Sequence, residues 1–182
     1  MPVTVHLATL DDVLWLINEF GTVPRAAAEE QAAPYPTADD AARRLKLHPT
    51  AVTATDLVAT ADHLYAALSA PAARTRAAAV NAHLAAARPA PQLDDEATAI
   101  SAWLVEARTA AEAVAAAAWL AVALDTDGGG GPARVAVCAA HRCADLYRDT
   151  HPAGIRRFCS PTCRTRAKVA THRARRRAAG AP

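Results

Sequence analysis

The sequence predicts a mainly α-helical (α+β) protein in two parts: a helical N-terminal domain with a small β-hairpin, and a small C-terminal module that ends in a basic helix. Alanine-rich segments of helical length fill most of residues 1–127, all four cysteines lie after residue 137, and four consecutive glycines separate the two regions. A chain of 182 residues suits one domain plus a small module. We therefore expect domains at 1–127 and 134–182, joined by a Gly-rich linker at 128–133.

Capping residues and prolines mark the first elements of the N-terminal domain. Residues 1–7 suit a short strand, and Thr9 with Asp12 forms a capping pair for a helix that Gly21 ends. Residues 21–36, with three prolines, are expected to be mostly loop, and Thr37 with Asp40 forms a second capping pair for an amphipathic helix to about Leu47. A helix from about Thr55 to Ser69 and a helix from Pro71 to about Ala87 are expected to follow. Arg76, within the last of these helices, is expected in solvent.

The second half of this domain contains one ambiguous segment and one strongly apolar helix. Residues 97–105 fit both a helical and an alternating pattern, and a strand is favoured because Thr109 with Glu112 marks a new helix start. The helix that follows, at 110–124, is apolar on all sides and is therefore expected at the centre of the domain. The tryptophans could line a ligand pocket, but we expect them in the core; they are Trp15, Trp103 and Trp119.

The four cysteines form two close pairs, Cys138 with Cys143 and Cys159 with Cys163, and fifteen residues separate the pairs. Two thiolate pairs joined by a short loop can converge on one tetrahedral Zn²⁺, with Zn–S distances of about 2.3 Å. Residues 135–163 contain too few sizeable apolar side chains for an independent core, and so small a unit usually needs a metal or a disulfide. The spacing therefore predicts one structural zinc ion bound by these four residues.

Two disulfides or four free thiols are the alternatives to a metal site. Disulfides would indicate an oxidising compartment. The first twenty residues contain no Lys or Arg, so we expect no signal peptide, and the apolar run at 113–124 is too short to span a bilayer. A reduced cytoplasm follows as the expected location, and paired cysteines there favour metal. His141 or His151 could replace a cysteine ligand, but we expect exposed loop histidines.

The C-terminal module is expected to be a treble-clef-like zinc finger. The predicted order is a turn at 138–143, short strands at 145–148 and 155–158, and a helix that begins after Ser160 with Pro161 in its first turn. Residues 134–182 carry twelve Lys or Arg and two acids, whereas residues 1–133 carry eight bases and sixteen acids. The small net charge of +2 therefore hides a module of +10 attached to a region of −8.

A module of +10 is the electrostatic signature of a nucleic-acid partner, and double-stranded DNA is the partner we expect. The candidate contact residues are Arg156, Arg157, Arg164, Arg166, Lys168, His172, Arg173, Arg175, Arg176 and Arg177. Nonspecific binding of RNA or DNA is one alternative. The other is a protein-interaction adaptor whose basic helix docks on an acidic surface, including the acidic part of the same chain. We expect no enzyme, since no spaced acid–base pair is evident, and no membrane partner.

The C-terminal segment resembles the CGNR zinc-finger family. The resemblance is carried by CAAHRC at 138–143, LYRDT at 146–150, RRFCS at 156–160 and CRTRAKVATHRARRR from Cys163 onward. Where the family has Cys-Gly-Asn-Arg, this chain has Cys163, Arg164, Thr165 and Arg166, so the ligand and the last arginine match and the middle pair differs.

The resemblance implies more than the residues alone. Family members carry an N-terminal α-helical or α+β domain called ABATE and are described as bacterial stress-induced transcriptional regulators. The segment DVLWLIN at 12–18 resembles the opening of that domain. The implied function is a DNA-binding regulator whose N-terminal domain senses a signal or forms a homodimer.

Overall fold

A computed structural model describes residues 1–6, 8–46, 52–93, 95, 99–125 and 134–180. Within these ranges the chain forms seven helices and five strands, so the mainly α fold with a few small strands is confirmed. In chain order they are β1 Pro2–Val5, α1 Leu10–Phe20, α2 Thr22–Ala28, α3 Ala38–Arg44, α4 Ala54–Leu68, α5 Ala73–Ala87, β2 Ala90–Leu93, β3 Ile100–Glu106, α6 Ala110–Ala123, β4 Val135–Val137, β5 Leu146–Arg148 and α7 Pro161–Ala179. We call residues 1–125 the body and residues 134–180 the finger.

Threonine side chains cap the starts of four body helices. Thr9 accepts a hydrogen bond from the backbone N–H of Asp12, whose carboxylate accepts one from the N–H of Thr9, and this completes a capping box on α1. The expected caps on α3 and α6 are confirmed, while the capping box of Thr53 and Asp56 on α4 was not predicted. Each such cap typically contributes about 1 kcal/mol to helix stability.

The segment 21–36, expected to be mostly loop, is loop at 29–36 but contains a helix that was not predicted, α2 at Thr22–Ala28. Pro24 lies in the first turn of this helix, where its missing N–H would have no helical partner in any case. Arg25 is buried, and its guanidinium donates to the carbonyls of Glu19 and Glu30 at 3.2 and 2.8 Å. This side chain therefore holds the loop after α2 against the body.

The body core lies between α1, α4, α5 and α6. The helix α6 is buried on nearly all sides, as its uniformly apolar sequence predicted, and Trp119 is only 2% exposed. Trp15 and Trp103 are half-buried, so the tryptophans contribute to the core to different degrees. Arg76 was expected in solvent, but it is buried and donates to the carbonyl of Pro71 at 3.2 Å.

A three-stranded antiparallel sheet in the order β1-β3-β2 covers one end of the body. The strand assignment for the ambiguous segment is thus confirmed as β3, and β1 extends the expected hairpin to three strands. The sheet packs on α6 through a second buried apolar cluster, to which the sheet contributes Val5 and Val105 and α6 contributes Leu120. Pro91 lies in β2, an edge strand, where a missing N–H is tolerated.

The finger packs directly on the body. Its β4–β5 hairpin places Val135 and Leu146, 3% and 1% exposed, in the same apolar core as α1. The side-chain amide of Asn18 donates to the carbonyl of Leu146 and accepts from its N–H, both at 2.9 Å. A single side chain on α1 thus hydrogen-bonds to β5 as a neighbouring strand would. The predicted Gly-rich linker lies outside the described residues.

Two sets of ion pairs join the same surfaces. The side chain of Arg148, only 9% exposed, contacts Asp125 at 2.7 Å and Asp11 at 3.5 Å, and the side chain of Asp125 is 3% exposed. Arg142 pairs with Glu29 at the protein surface. The buried pair lies between the end of β5, the end of α6 and the start of α1, so it fixes the finger's orientation on the body.

Candidate metal centre and nucleic-acid interface

The four cysteine sulfurs converge as the spacing predicted. All four Sγ atoms lie within 4.8 Å of one another. The Sγ of Cys159 is 3.7 Å from that of Cys143 and 3.5 Å from that of Cys163. A tetrahedral zinc ion with Zn–S bonds of about 2.3 Å requires sulfurs about 3.8 Å apart. The cysteines are not joined as disulfides, and this group of sulfurs can hold one zinc ion.

The first pair of cysteines lies in a tight turn after β4. The N–H of Cys138 donates to the carbonyl of Asp145 at 2.9 Å, and the N–H of Cys143 donates to that of Ala140 at 3.2 Å. Arg142 has a φ of 62°, in the left-handed region that closes such turns. The expected turn at 138–143 is therefore present, and it directs both thiols to one side.

The second pair of cysteines lies at the start of α7. Ser160 caps this helix, accepting a hydrogen bond from the N–H of Cys163 at 3.2 Å, and Pro161 follows at the first helical position, as predicted. Cys163 is buried in the first turn, where the helix dipole favours a thiolate. Metal binding at Cys163 therefore fixes the beginning of the basic helix.

The second predicted strand, at 155–158, was wrong. The strand that pairs with β5 is β4, and residues 155–158 form a loop. The reason is the buried carboxylate of Asp149, which accepts hydrogen bonds from the N–H groups of His151 at 2.9 Å and Arg156 at 3.1 Å. The N–H of Arg156 is bonded to this carboxylate, and its carbonyl accepts a hydrogen bond from the Tyr147 hydroxyl, so neither group of Arg156 joins a strand ladder. A single backbone bond, from Ala139 to Arg157, joins it to the cysteine turn.

The thiols differ in how readily they ionise. Burial raises the pKa of the Cys143 thiol above its usual range and raises the pKa of Cys159 to about 12. At Cys163 burial acts in the same direction, but hydrogen bonds involving Ser160 and the other three cysteines outweigh it and lower the pKa. Because zinc binds thiolates, binding must displace protons from Cys143 and Cys159.

The helix α7 extends from the metal site into solvent. After Cys163 its side chains are exposed, except that Ala167 is half-buried. The helix contains seven Lys or Arg and no acid, and none of these cations forms an ion pair within the described residues. The exposed candidate contact residues on it are Arg164, Arg166, Lys168, His172, Arg173, Arg175, Arg176 and Arg177. Arg164 and Thr165, which replace the family's Gly-Asn pair, lie within this regular helix.

The two candidate residues before α7 have different surroundings. Arg156 donates from its Nε to the carbonyl of Phe158 at 2.8 Å, donates to the carbonyl of Cys159, and lies 5.1 Å from the centre of the Tyr147 ring. Its exposed side chain therefore supports the loop beside the metal site. Arg157 is exposed and lies over the Phe158 ring, so it remains available to a partner.

Several supporting residues were missed by sequence reasoning. Arg134 donates to the carbonyls of His151 and Pro152 at 3.0 and 3.3 Å and so holds the loop after β5. Asn18 and Arg148 connect the finger to the body, as described above. Only Asn18 left a signal, since it is a polar residue at the end of an otherwise apolar helical segment.

Comparison with known proteins identifies one part of the chain. Residues 134–176 match the family model of the CGNR zinc finger. No curated protein matches the chain. Within the described residues, none of the helices combines the length and the apolar character that crossing a membrane requires.

Proposed function

Because residues 134–176 form a CGNR zinc finger, we propose that this chain is a DNA-binding transcriptional regulator of the bacterial cytoplasm. In this proposal the zinc ion is structural, α7 contacts DNA phosphates, and the body is an ABATE domain that senses a signal or forms a homodimer. The proposal also holds that the protein is not an enzyme.

The observation that carries the proposal is the state of α7. This helix of nineteen residues begins between the ligands Cys159 and Cys163. It then projects from the molecule with seven cations and no acid. Cations without protein partners attract phosphates from both sides of a groove. The exposed Arg side chains also suit guanine edges in the major groove. A protein surface built only for solubility would mix charges of both signs.

The zinc ion has a supporting part in this function. Four thiolates fill a tetrahedral shell and leave no position for a reacting water, which separates structural from catalytic zinc sites. Cys138 and Cys143 bring the ion to the hairpin that is docked on the body, and Cys159 and Cys163 bring it to α7. The metal therefore transmits the fixed position of the hairpin to the helix.

The docking of the finger supports DNA binding over self-association with the body. The finger's contacts with the body come from its hairpin, through Asn18 and Arg148, rather than from α7. The acidic groups Asp11, Asp125 and Glu29 pair with Arg148 and Arg142. This arrangement leaves the cations of α7 exposed, so an adaptor that folds its basic helix onto its own body is not the function we propose.

The test is DNA binding by the zinc-loaded full-length protein across salt concentrations. The full chain is needed because the finger shares its core with the body. If about five phosphates are contacted, log K should fall with log[salt] with a slope of about −4.5. Selection from a random duplex pool should then enrich a common sequence. Absence of binding at low salt would refute the function, and binding without enrichment would favour a generic polyanion binder.

A further inference from the structure

Two histidines in the body face each other away from the zinc site. His63 on α4 and His83 on α5 place their Nε2 atoms 2.8 Å apart, with ring planes at 83°. The ring of His83 stacks on the indole of Trp119, with centroids 4.5 Å apart and planes within 5°. The stacking fixes the plane of His83, whereas His63 is exposed. Packing therefore holds the ring of His83 in place, whereas the exposed side chain of His63 can change its orientation.

The chemistry of this pair suits a shared cation. When both imidazoles are neutral, one Nε2 must carry the proton that the other accepts. A metal ion can replace that proton and bind both bare nitrogens. Nitrogens bound to one tetrahedral ion at about 2.0 Å lie about 3.3 Å apart, so the pair needs to open by about half an ångström and to tilt until both lone pairs point at the ion. The exposed ring of His63 can supply this movement.

Access to the pair is open on two sides. His63 faces solvent, and a cavity of about 440 Å³ borders His83 and Trp119. Glu112 and Arg108 line the same cavity and pair with each other, so they leave little net charge to repel a cation. Waters can therefore complete the coordination shell of an ion held by two nitrogens.

We propose that the body binds one divalent transition-metal ion between the Nε2 atoms of His63 and His83. Imidazole nitrogen favours Ni²⁺, Cu²⁺ and Zn²⁺ over Ca²⁺ and Mg²⁺, which prefer oxygen. The site differs from the four-sulfur centre because two ligands leave the ion open and exchangeable. It also joins α4 to α5 beside Trp119 of α6, so binding reaches the centre of the body. This inference does not depend on the DNA-binding proposal.

The experiment uses the zinc-loaded full-length protein and Ni²⁺ as the probe. Tryptophan fluorescence should fall as Ni²⁺ is added and should saturate below millimolar Ni²⁺ with one ion bound per chain, since Trp119 stacks on one ligand. Zinc content measured before and after should stay constant, which separates this site from the cysteines. His63→Gln should weaken Ni²⁺ binding at least tenfold, and so should His83→Gln.

His141→Gln is the matched control, because it removes an exposed histidine of the finger and should leave binding unchanged. His63→Gln decides the question if His83→Gln disturbs the stacking on Trp119, since His63 is exposed and its variant should keep the far-ultraviolet circular dichroism of the parent. Unchanged Ni²⁺ affinity in folded His63→Gln would overturn the proposal. So would a parent protein whose fluorescence does not saturate at millimolar Ni²⁺.

Discussion

Asn18 joins the body and the finger through one side chain. Its amide satisfies both backbone groups of Leu146, which lies 128 residues later in the chain. An unpaired backbone group in such a partly buried interface costs about 1–3 kcal/mol of stability. The position of a polar residue, Asn18, near the end of the apolar helix α1 is therefore explained by its hydrogen bonds to the finger.

Asn18→Leu should lower the free energy of unfolding of the zinc-loaded protein by about 2–4 kcal/mol, because both groups of Leu146 lose their partner. Urea denaturation measures this. Glu19→Gln, an exposed change on the next residue of α1, should cost less than about 0.5 kcal/mol. Equal losses in the two variants would contradict the role of Asn18.

Arg148 and Arg142 allow a comparison of a buried and an exposed ion pair. Arg148→Met should cost about 3–5 kcal/mol, because Asp125, only 3% exposed, loses a cation partner. Arg142→Met removes a pair whose side chains are 52% and 64% exposed, and should cost less than about 1 kcal/mol. Thermal and urea denaturation of both variants provide the measurement. A larger loss for Arg142→Met would refute this ranking.

At the scale of elements, local signals decided what could be predicted. The starts of α1, α3 and α6 follow from Thr with Asp or Glu three residues later. The cluster of cysteines follows from their spacing, and the cap of α7 follows from Ser160 with Pro161 after it. The helix α2 was missed because prolines normally suggest loops, although Pro24 occupies a first turn. The strand at 155–158 was wrong because the side chain of Asp149 replaced a strand partner, and such a contact has no local signature.

The cap of α4 has a pH dependence of known sign. Hydrogen bonds from the backbone and side chain of Thr53 lower the pKa of Asp56 below its ordinary value. A lowered folded-state pKa gives stability that is present above the unfolded pKa of about 3.9 and is lost as the pH falls through the folded value. The stability difference between the parent and Asp56→Asn should therefore shrink between pH 6 and pH 3. A difference that grows on acidification would contradict it.

The proposed role of α7 in DNA binding can be tested by removing one charge at a time. Arg173→Gln should weaken DNA binding and reduce the magnitude of the salt slope by about 1, if this arginine contacts one phosphate. Arg74→Gln removes one exposed cation from α5 of the body and should change neither quantity. Fluorescence anisotropy with a labelled duplex at several salt concentrations measures both. Identical behaviour of the two variants would indicate that α7 is not the contact surface.

At the scale of the whole molecule, the metal and the docking surface hold different parts of the finger. The hairpin is held by Val135 and Leu146 in the body core, whereas α7 is held mainly by the metal site at its first turn. This division could not be predicted from sequence, because it depends on contacts between residues more than a hundred positions apart.

Removal of zinc by a chelator should therefore loosen α7 and leave the body folded. Far-ultraviolet circular dichroism should lose helical signal, up to the share of the nineteen residues of α7. Tryptophan emission should hold steady, since Trp119 lies in the body core. A helical signal that persists after zinc is removed would refute the structural role of the metal.

The shared core also limits how this finger can be used in other proteins. Its hairpin has an apolar face that α1 covers and backbone groups that Asn18 completes. A chimaera that carries only the matched segment would expose both. Protein engineers who want to place this finger and its basic helix on a foreign scaffold must transplant the first helix with it, or redesign the hairpin to stand alone.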